Sequence, residues 1–499
     1  MSSFIGIDLG TTFSAISTID ETGRPVIVHN SDGKNITPSC IEFENGNAFV
    51  GEEAQKGLFI SENCVGRFKK AMGETKEYEI EGKTYTPTDL SSILLKKLLK
   101  DATLAIGDIG EAVVTIPANF SNNAREATMT AAKMAGLNVN YIVNEPTAAA
   151  LYYAYQSGSD LNGNYAVYDL GGGTFDVSII KVNGQDVDVL KSSGVRNLGG
   201  DDFDEKLREL IINKAKVAFE EDIADDFKKN DAEDVKLSLS KRDKVKCSIG
   251  SIRKTLEITR DEFEEAISSY LAQTQMLCEA VVEEAGLGMT QIESVFLVGG
   301  STRIPAVRKM VEQVFQQDPI STANVDEVVA LGASIYAAYK GNRDLLNPVQ
   351  KKAIGKLKIG EQTSQNFGTI ALESGSLESG VLKRYNDIII KRGEKVPCSF
   401  TKTFYTVQDG QKSIRCTVTE STQNEKDPEF VNIIWEGNLD LGAETKAGQE
   451  IEVTFGFDDN QIMNCSFKDT ETGKSSKVEL NTTKDEGRSN ADIESILVE

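Results

Sequence analysis

Two stretches far apart in the chain carry the same short pattern. Residues 5–17 read IGIDLGTTFSAIS, and residues 166–180 read AVYDLGGGTFDVSII. Each is an apolar run, then Asp-Leu-Gly, a turn of small residues containing Thr, and a second apolar run. That is a strand–turn–strand whose backbone can come close to an anion. Gly10, Gly171, Gly172 and Gly173 remove the side chains that would block the approach. The freed N–H groups, with the hydroxyls of Thr11, Thr12 and Thr174, can wrap anionic oxygens. Asp8 and Asp169 stand at the strand ends, where a carboxylate can hold a hydrated magnesium. One such turn could be an ordinary glycine hairpin with a capping Asp. Two in the same context point to a duplicated domain with phosphate loops facing each other across a cleft.

Composition narrows the function classes. The 54 Lys and Arg against 77 Asp and Glu give a net charge of −23, which argues against nucleic acid, whose phosphates demand a basic surface. Seven cysteines, none in a CxxC pair, fit reduced thiols and a cytoplasmic location. MSSFIGID enters a strand almost at once, which predicts no signal peptide, and no apolar run approaches the ~20 residues that cross a bilayer. His29 is the only histidine, so a histidine-based metal site and a Ser-His-Asp triad placed elsewhere are excluded.

Two regimes divide the 499 residues. Residues 1–345 alternate short apolar strands (EAVVTIP) with helices (SNNAREATMTAAKMAGL), which reads as α/β. Thr259 and Glu262 form a capping box that predicts one long helix through Phe263, Ile267, Leu271 and Leu277, ending before Gly286. Residues 363–484 show period-two alternation instead, as in Ile414, Cys416, Val418 and in Val453, Phe455, Phe457. Turn signals at Asp409-Gly410, Asp458-Asp459-Asn460 and Thr472-Gly473 complete an all-β meander or sandwich. Residues 346–362, including QKKAIGKLKIGEQ, read as a linker.

Further glycine pairs suit the cleft. SVFLVGGSTRIPAVRKMVEQVF is a strand, a Gly299-Gly300 turn and a helix begun near Pro305, and VRNLGGDDFD holds Gly199-Gly200. Taken in order, IDLGTTFS, TIPANF, VNEPTAAAL, YDLGGGTFDVS, LGGDDFD and LVGGSTRIPAV resemble the signatures of the 70-kDa heat-shock chaperones (DnaK-type). The wider similarity is to actin and the sugar kinases. It implies a duplicated, two-lobed actin-like ATPase domain followed by an all-β sandwich peptide-binding domain. The activity implied is that of an ATP-dependent chaperone, with ATP/ADP and Mg2+ bound, K+ beside them, and slow hydrolysis.

Residue by residue, the resemblance implies that Thr11 and Thr12 contact phosphates, with Gly10 and Phe13 in the same turn. Asp8 and Asp169 hold the magnesium and its waters, and Asp169 orients the attacking water. Lys69, in GRFKKAMG, reaches the γ-phosphate and that water. Glu145, in NEPTAA, links to the water and magnesium, with Pro146 as a switch beside it. Asp176 and Thr174 help bind the monovalent cation. Glu233, Lys236 and Ser240 line the adenosine pocket, and Gly300, Ser301, Arg303 and Asp326 close it. Without the ordered motif set, Lys69 would read as a surface lysine and Glu145 as a helix-start carboxylate.

The β half resembles the peptide-binding domain, with Phe404, Val407 and Ile414 at pocket positions and Leu372 at an arch; as bare residues these would be plain sandwich core. Unfolded, apolar polypeptide segments are the implied clients, with a J-domain co-chaperone and a nucleotide-exchange factor as further partners. Three features depart from the family. Lys356 and Lys358 replace linker leucines, which predicts weaker linker docking. Tyr141 stands where bacterial members carry the arginine that contacts the J-domain. Residues 485–499 read as a stub of the helical lid. Two alternatives are a regulatory relative with little turnover, which would ordinarily lose Lys69, Glu145 or Asp169, and a sugar kinase, which would not need the β half.

Overall fold

The computed structural model describes every residue except 1–2, 158–161, 184–185, 322–323, 355–357, 360, 364, 374–382, 442–444, 459–462, 480–492 and 494. The chain divides into two units: Met1–Ala118 with Thr128–Lys358 and Arg488–Glu499, and Asn119–Ala127 with Ile359–Gly487. Each is taken by itself.

The repeated pattern forms two hairpins with the same wiring around them. Ser3–Asp8 pairs antiparallel with Phe13–Ile19, which pairs with Pro25–Val28; Ile109–Ile116 lies parallel on the free side of Ser3–Asp8. Val139–Asn144 adds a further parallel strand. In the second sheet Asn162–Leu170 pairs with Phe175–Asn183, which pairs with Asp186–Val195, and Ile292–Val298 lies parallel on the free side of Asn162–Leu170. The central strands are buried on both faces and so read as near-continuous apolar runs. Each sheet has its own apolar core, one around Ile5, Ile7, Leu90 and Val114, the other around Tyr168, Phe175, Phe203 and Val295.

Helices Glu145–Gln156 and Val328–Lys340 pack so closely that a Cβ on Gly332 would lie 1.7 Å from the Ala148 carbonyl oxygen. Only glycine permits that contact. The capping box forms: Glu262 N–H donates to Thr259 Oγ1, and Thr259 N–H donates back to Glu262 Oε2. The single long helix does not. At Ile267 the backbone leaves helical dihedrals (φ −100°, ψ 1°), giving Arg260–Ala266 and Ser268–Glu284.

The linker is more ordered than its composition predicts. Pro348–Ile354 is a helix, and Lys358–Ile359 adds a short edge strand beside Asp186–Val195. Strand addition runs through backbone N–H and C=O groups, so a lysine in the run does not prevent it. Lys356 lies outside the described residues. Of the expected lid stub, residues 485–492 and 494 lie outside the described residues; Ile493 and Ser495–Glu499 belong to the first unit.

In the second unit two four-stranded antiparallel sheets share one core. The first orders Arg384–Ile390, Asn366–Leu372, Ser413–Ser421, Asn432–Asp440; the second orders Cys398–Tyr405, Glu450–Phe457, Met463–Asp469, Ser475–Glu479. Ile451, Val453, Phe455 and Phe457 alternate inward against Cys416, Val418 and Phe367. Gly410 and Gly473 take positive φ (72° and 73°) at their turns. The turn expected at Asp459-Asn460 lies outside the described residues.

Candidate nucleotide cleft and peptide pocket

Both hairpin turns open onto one cavity of about 560 Å3 in the first unit. Asp8, Gly10, Thr11, Thr12 and Phe13 line it from the first turn, and Asp169, Gly171, Gly172 and Thr174 from the second. Lys69, Glu145, Glu233, Lys236, Ser240, Gly299, Gly300, Ser301, Arg303 and Asp326 complete the predicted set. Gly173, Gly199, Gly200 and Asp176 stand behind that lining. Gly200 N–H donates to Gly171 O at 3.1 Å, and Asp201 N–H to Gly172 O at 2.6 Å, so one glycine pair buttresses the other. Asp176 faces Asp169 across the second hairpin.

The glycines are demanded by space. A Cβ on Gly172 would sit 2.1 Å from Thr12 Oγ1, so the two turns interlock there. Gly299 combines φ +84° with a Cβ position 2.5 Å from Leu170 O, excluding any other residue without rearrangement.

Charge is concentrated and buried at the base. Lys69, in the short 3-10 turn Phe68–Ala71, donates to Glu145 Oε1 at 2.7 Å, and both residues are under one-tenth exposed. Glu145 opens helix Glu145–Gln156, where the helix dipole favours a carboxylate. Burial, then the Glu145 charge, pushes Asp8 up to about 7, against the pull of Lys69 and a hydrogen bond donated by Thr115 Oγ1 at 3.0 Å. Burial and the same neighbouring carboxylates hold Asp169 and Asp176 well above the usual carboxylate range. Thr12 Oγ1 and Asp176 Oδ1 are buried with no hydrogen-bond partner. A crowd of carboxylates with too little positive charge, beside orphaned oxygens, is what a hard cation and phosphate oxygens would satisfy. Among the described residues no three His, Cys, Asp or Glu side chains gather closely enough to enclose a metal. Magnesium would therefore be held through water and substrate oxygens rather than in a protein cage.

Lys236 donates to Asp204 Oδ2 at 2.9 Å with both residues buried, and the more exposed Arg303 pairs with Asp326 at 2.7 Å. Sequence reasoning missed the apolar part of the lining: Ile36, Leu237, Ile304, Val325 and Val329. Leu237 carried a usable signal, because it lies four residues after Glu233 and so on the same helix face. It also missed Arg67, whose guanidinium grips Asp201 at 2.8–3.3 Å. Arg67 precedes the Lys69 turn and Asp201 opens helix Gly200–Phe219, so this pair joins the two halves of the first unit. Burial pushes the Asp201 carboxyl up, but the Arg67 hydrogen bonds and charge outweigh it and leave the group below its ordinary value.

In the second unit a separate cavity of about 830 Å3 is lined by all four residues predicted for peptide binding: Leu372, Phe404, Val407 and Ile414. Tyr405, Ile433, Ile451 and Phe467 add apolar surface, and Glu373, Arg384, Asp387 and Arg415 ring it. Phe404 and Ile414 are half-buried against the shared core rather than sealed in it.

A family model described as Hsp70 protein matches residues 4–499. The chain belongs to the Hsp70 family. Hsp70 proteins are ATP-binding chaperones with ATPase activity, so this chain is a chaperone of the Hsp70 class. Members of this family bind ATP or ADP with Mg2+, and bind unfolded polypeptides and co-chaperones. Among the described residues of this Hsp70 protein no helix is long and apolar enough to cross a membrane. Tyr141 lies in strand Val139–Asn144, with the Lys340 ammonium 5.7 Å from its ring centroid.

Proposed function

We propose that this Hsp70-family chain hydrolyses ATP slowly in the first unit and uses the cycle to control capture of apolar peptide segments in the second. In this reading the first unit is a duplicated two-lobed ATPase domain and the second a β-sandwich. The observation that carries it is the convergence of both repeated hairpins, the buried Lys69–Glu145 pair and Asp169 on one cavity. A regulatory relative with little turnover would ordinarily lose Lys69, Glu145 or Asp169, and all three are present.

Thr11, Thr12 and the backbone around Gly171 and Gly172 hold the phosphates; Glu233, Lys236, Ser240, Gly300 and Arg303 hold the nucleoside. Asp8 and Asp169 would hold the magnesium, and Asp176 with Thr174 would serve a monovalent cation such as K+. When bound, magnesium neutralises phosphate charge. Asp169 orients the attacking water, and Lys69, positioned by Glu145, stabilises charge developing on the γ-phosphate. Leu372, Phe404, Val407 and Ile414 receive an apolar side chain of an extended segment. A J-domain co-chaperone, with Tyr141 standing where bacterial members carry the contacting arginine, and a nucleotide-exchange factor complete the cycle, and the cytoplasm is the setting. Calorimetric titration of the full chain with ATP in magnesium buffer should show saturable binding; no binding heat by this or any fluorescent nucleotide would refute the reading.

Two further results are expected. Arg67→Ala should speed nucleotide release about tenfold, since a hydrogen bond to a charged group contributes about 1.5–3 kcal/mol. Stopped-flow release of a fluorescent nucleotide measures it, and an unchanged rate would show that the Arg67–Asp201 clasp does not gate exit. Ile414→Phe should weaken peptide binding while leaving basal ATPase unchanged, because the larger ring fills the pocket that Ile414 only lines. Peptide anisotropy and turnover, measured on the same preparation, check it; equal peptide affinity would remove Ile414 from the site.

A further inference from the structure

The small sheet formed by Asn47–Val50, Cys40–Glu44 and Cys64–Gly66 leaves Asn47–Val50 at its edge. An edge strand presents a row of unpaired N–H and C=O groups, and proteins cover such rows. Here the cover is the last stretch of the sequence. Val498 bridges Ala48 in parallel. Ala48 N–H donates to Leu497 O at 3.0 Å, Glu499 N–H to Ala48 O at 2.9 Å, and Val50 N–H to Glu499 O at 3.1 Å. On the other side, two lysines of helix Pro87–Ile106 hold two more of the segment's carbonyls. Lys96 Nζ donates to Ile496 O at 3.0 Å and Lys100 Nζ to Val498 O at 2.9 Å. Ile493, Ile496 and Val498 are buried in the core of the first sheet, whereas Leu497 between them is exposed. That alternation is the signature of a strand with one face on a core.

From this we infer that the edge Asn47–Val50, with Lys96 and Lys100, is a second peptide-binding groove, filled in cis by Ser495–Glu499 with Ile493 anchored beside it. The groove takes an extended segment with apolar residues two apart. Strand addition supplies affinity through the main chain, and the pockets under Ile496 and Val498 supply selection. The lysines, spaced four apart on one helix face, read carbonyl oxygens of the added strand. The groove shares no lining residue with the nucleotide cleft or with the pocket around Phe404 and Ile414. The contact thus fastens the last described residues to the first unit. A competing segment of the same pattern would displace Ser495–Glu499 from the edge without touching nucleotide.

The test uses the full chain and a full-length double variant, Ile496→Asp with Val498→Asp, which places charges where the core would have to bury them. In the variant, amide hydrogen exchange at Ala48 and Val50 should rise at least about tenfold while the central strands Ser3–Asp8 and Asn162–Leu170 keep their protection. A fluorescent peptide of sequence ADIESILVE should then bind the variant saturably and one-to-one. It should bind the unaltered chain at least about tenfold more weakly, because that groove is already filled. Unchanged protection at Ala48 and Val50, or equal peptide binding by both chains, would overturn the inference. Protection in the unaltered chain that disappears on dilution, together with a dimer by sedimentation, would overturn the cis assignment in favour of exchange between two copies.

Discussion

Lys69→Ala is expected to cut ATP hydrolysis by about a hundredfold or more, the scale of a preorganised electrostatic group worth ~2.7 kcal/mol. Nucleotide affinity should stay within about tenfold, or ~1.4 kcal/mol. The reason is geometric. Lys69 is under one-tenth exposed and held at 2.7 Å by Glu145, so it is already placed before any substrate arrives. The phosphate-binding groups of the two hairpin turns do not depend on it. The variant also leaves Glu145 buried beside Asp8 and Asp169 without its ammonium. Breaking a buried pair by removing one partner is destabilising by roughly 3–5 kcal/mol, so the nucleotide-free first unit should melt earlier. Single-turnover hydrolysis, equilibrium binding and thermal melting separate these effects. Lost binding with retained hydrolysis would show that Lys69 is a binding group and not a positioned catalytic one.

Gly332→Ala should destabilise the first unit strongly for a one-methyl change. The added Cβ would lie 1.7 Å from the Ala148 carbonyl oxygen and 2.4 Å from its carbon, and both atoms are backbone of helix Glu145–Gln156. No side-chain rotation can relieve that, so the two helices must separate. Overpacking of this kind costs about 3 kcal/mol, the upper end of the usual range. A lowering of the first unit's melting temperature by about 2–4 °C per kcal/mol follows. The displaced helix begins at Glu145, so hydrolysis should fall along with stability. A variant with unaltered melting and turnover would mean that the helices do not approach as closely as described.

The parts legible in the sequence are those written locally. Each hairpin turn is fixed by glycines and threonines a few residues apart, and the Thr259–Glu262 box is complete within four residues, so both could be read before any fold was known. That Lys69 and Glu145 both serve the cleft is legible only through the ordered resemblance; the ion pair between them is not legible, because 76 positions separate the partners and either residue alone looks like surface chemistry. Ile36, Val325 and Val329 were invisible as cleft residues, since an apolar side chain facing a ligand is written no differently from one facing a core. The break at Ile267 escaped because its apolar spacing continues unbroken through Leu271. The return of Ser495–Glu499 to the first unit depends on an edge strand more than 400 residues earlier, which no window along the chain can reveal.

The measurement closest to the central claim is steady-state ATP turnover by the full chain, with and without a saturating extended apolar peptide, beside Lys69→Ala under the same conditions. The account predicts slow, magnesium-dependent turnover that rises when peptide is added and disappears in the variant. Turnover equal in the unaltered chain and Lys69→Ala, or no turnover with or without peptide, would contradict it.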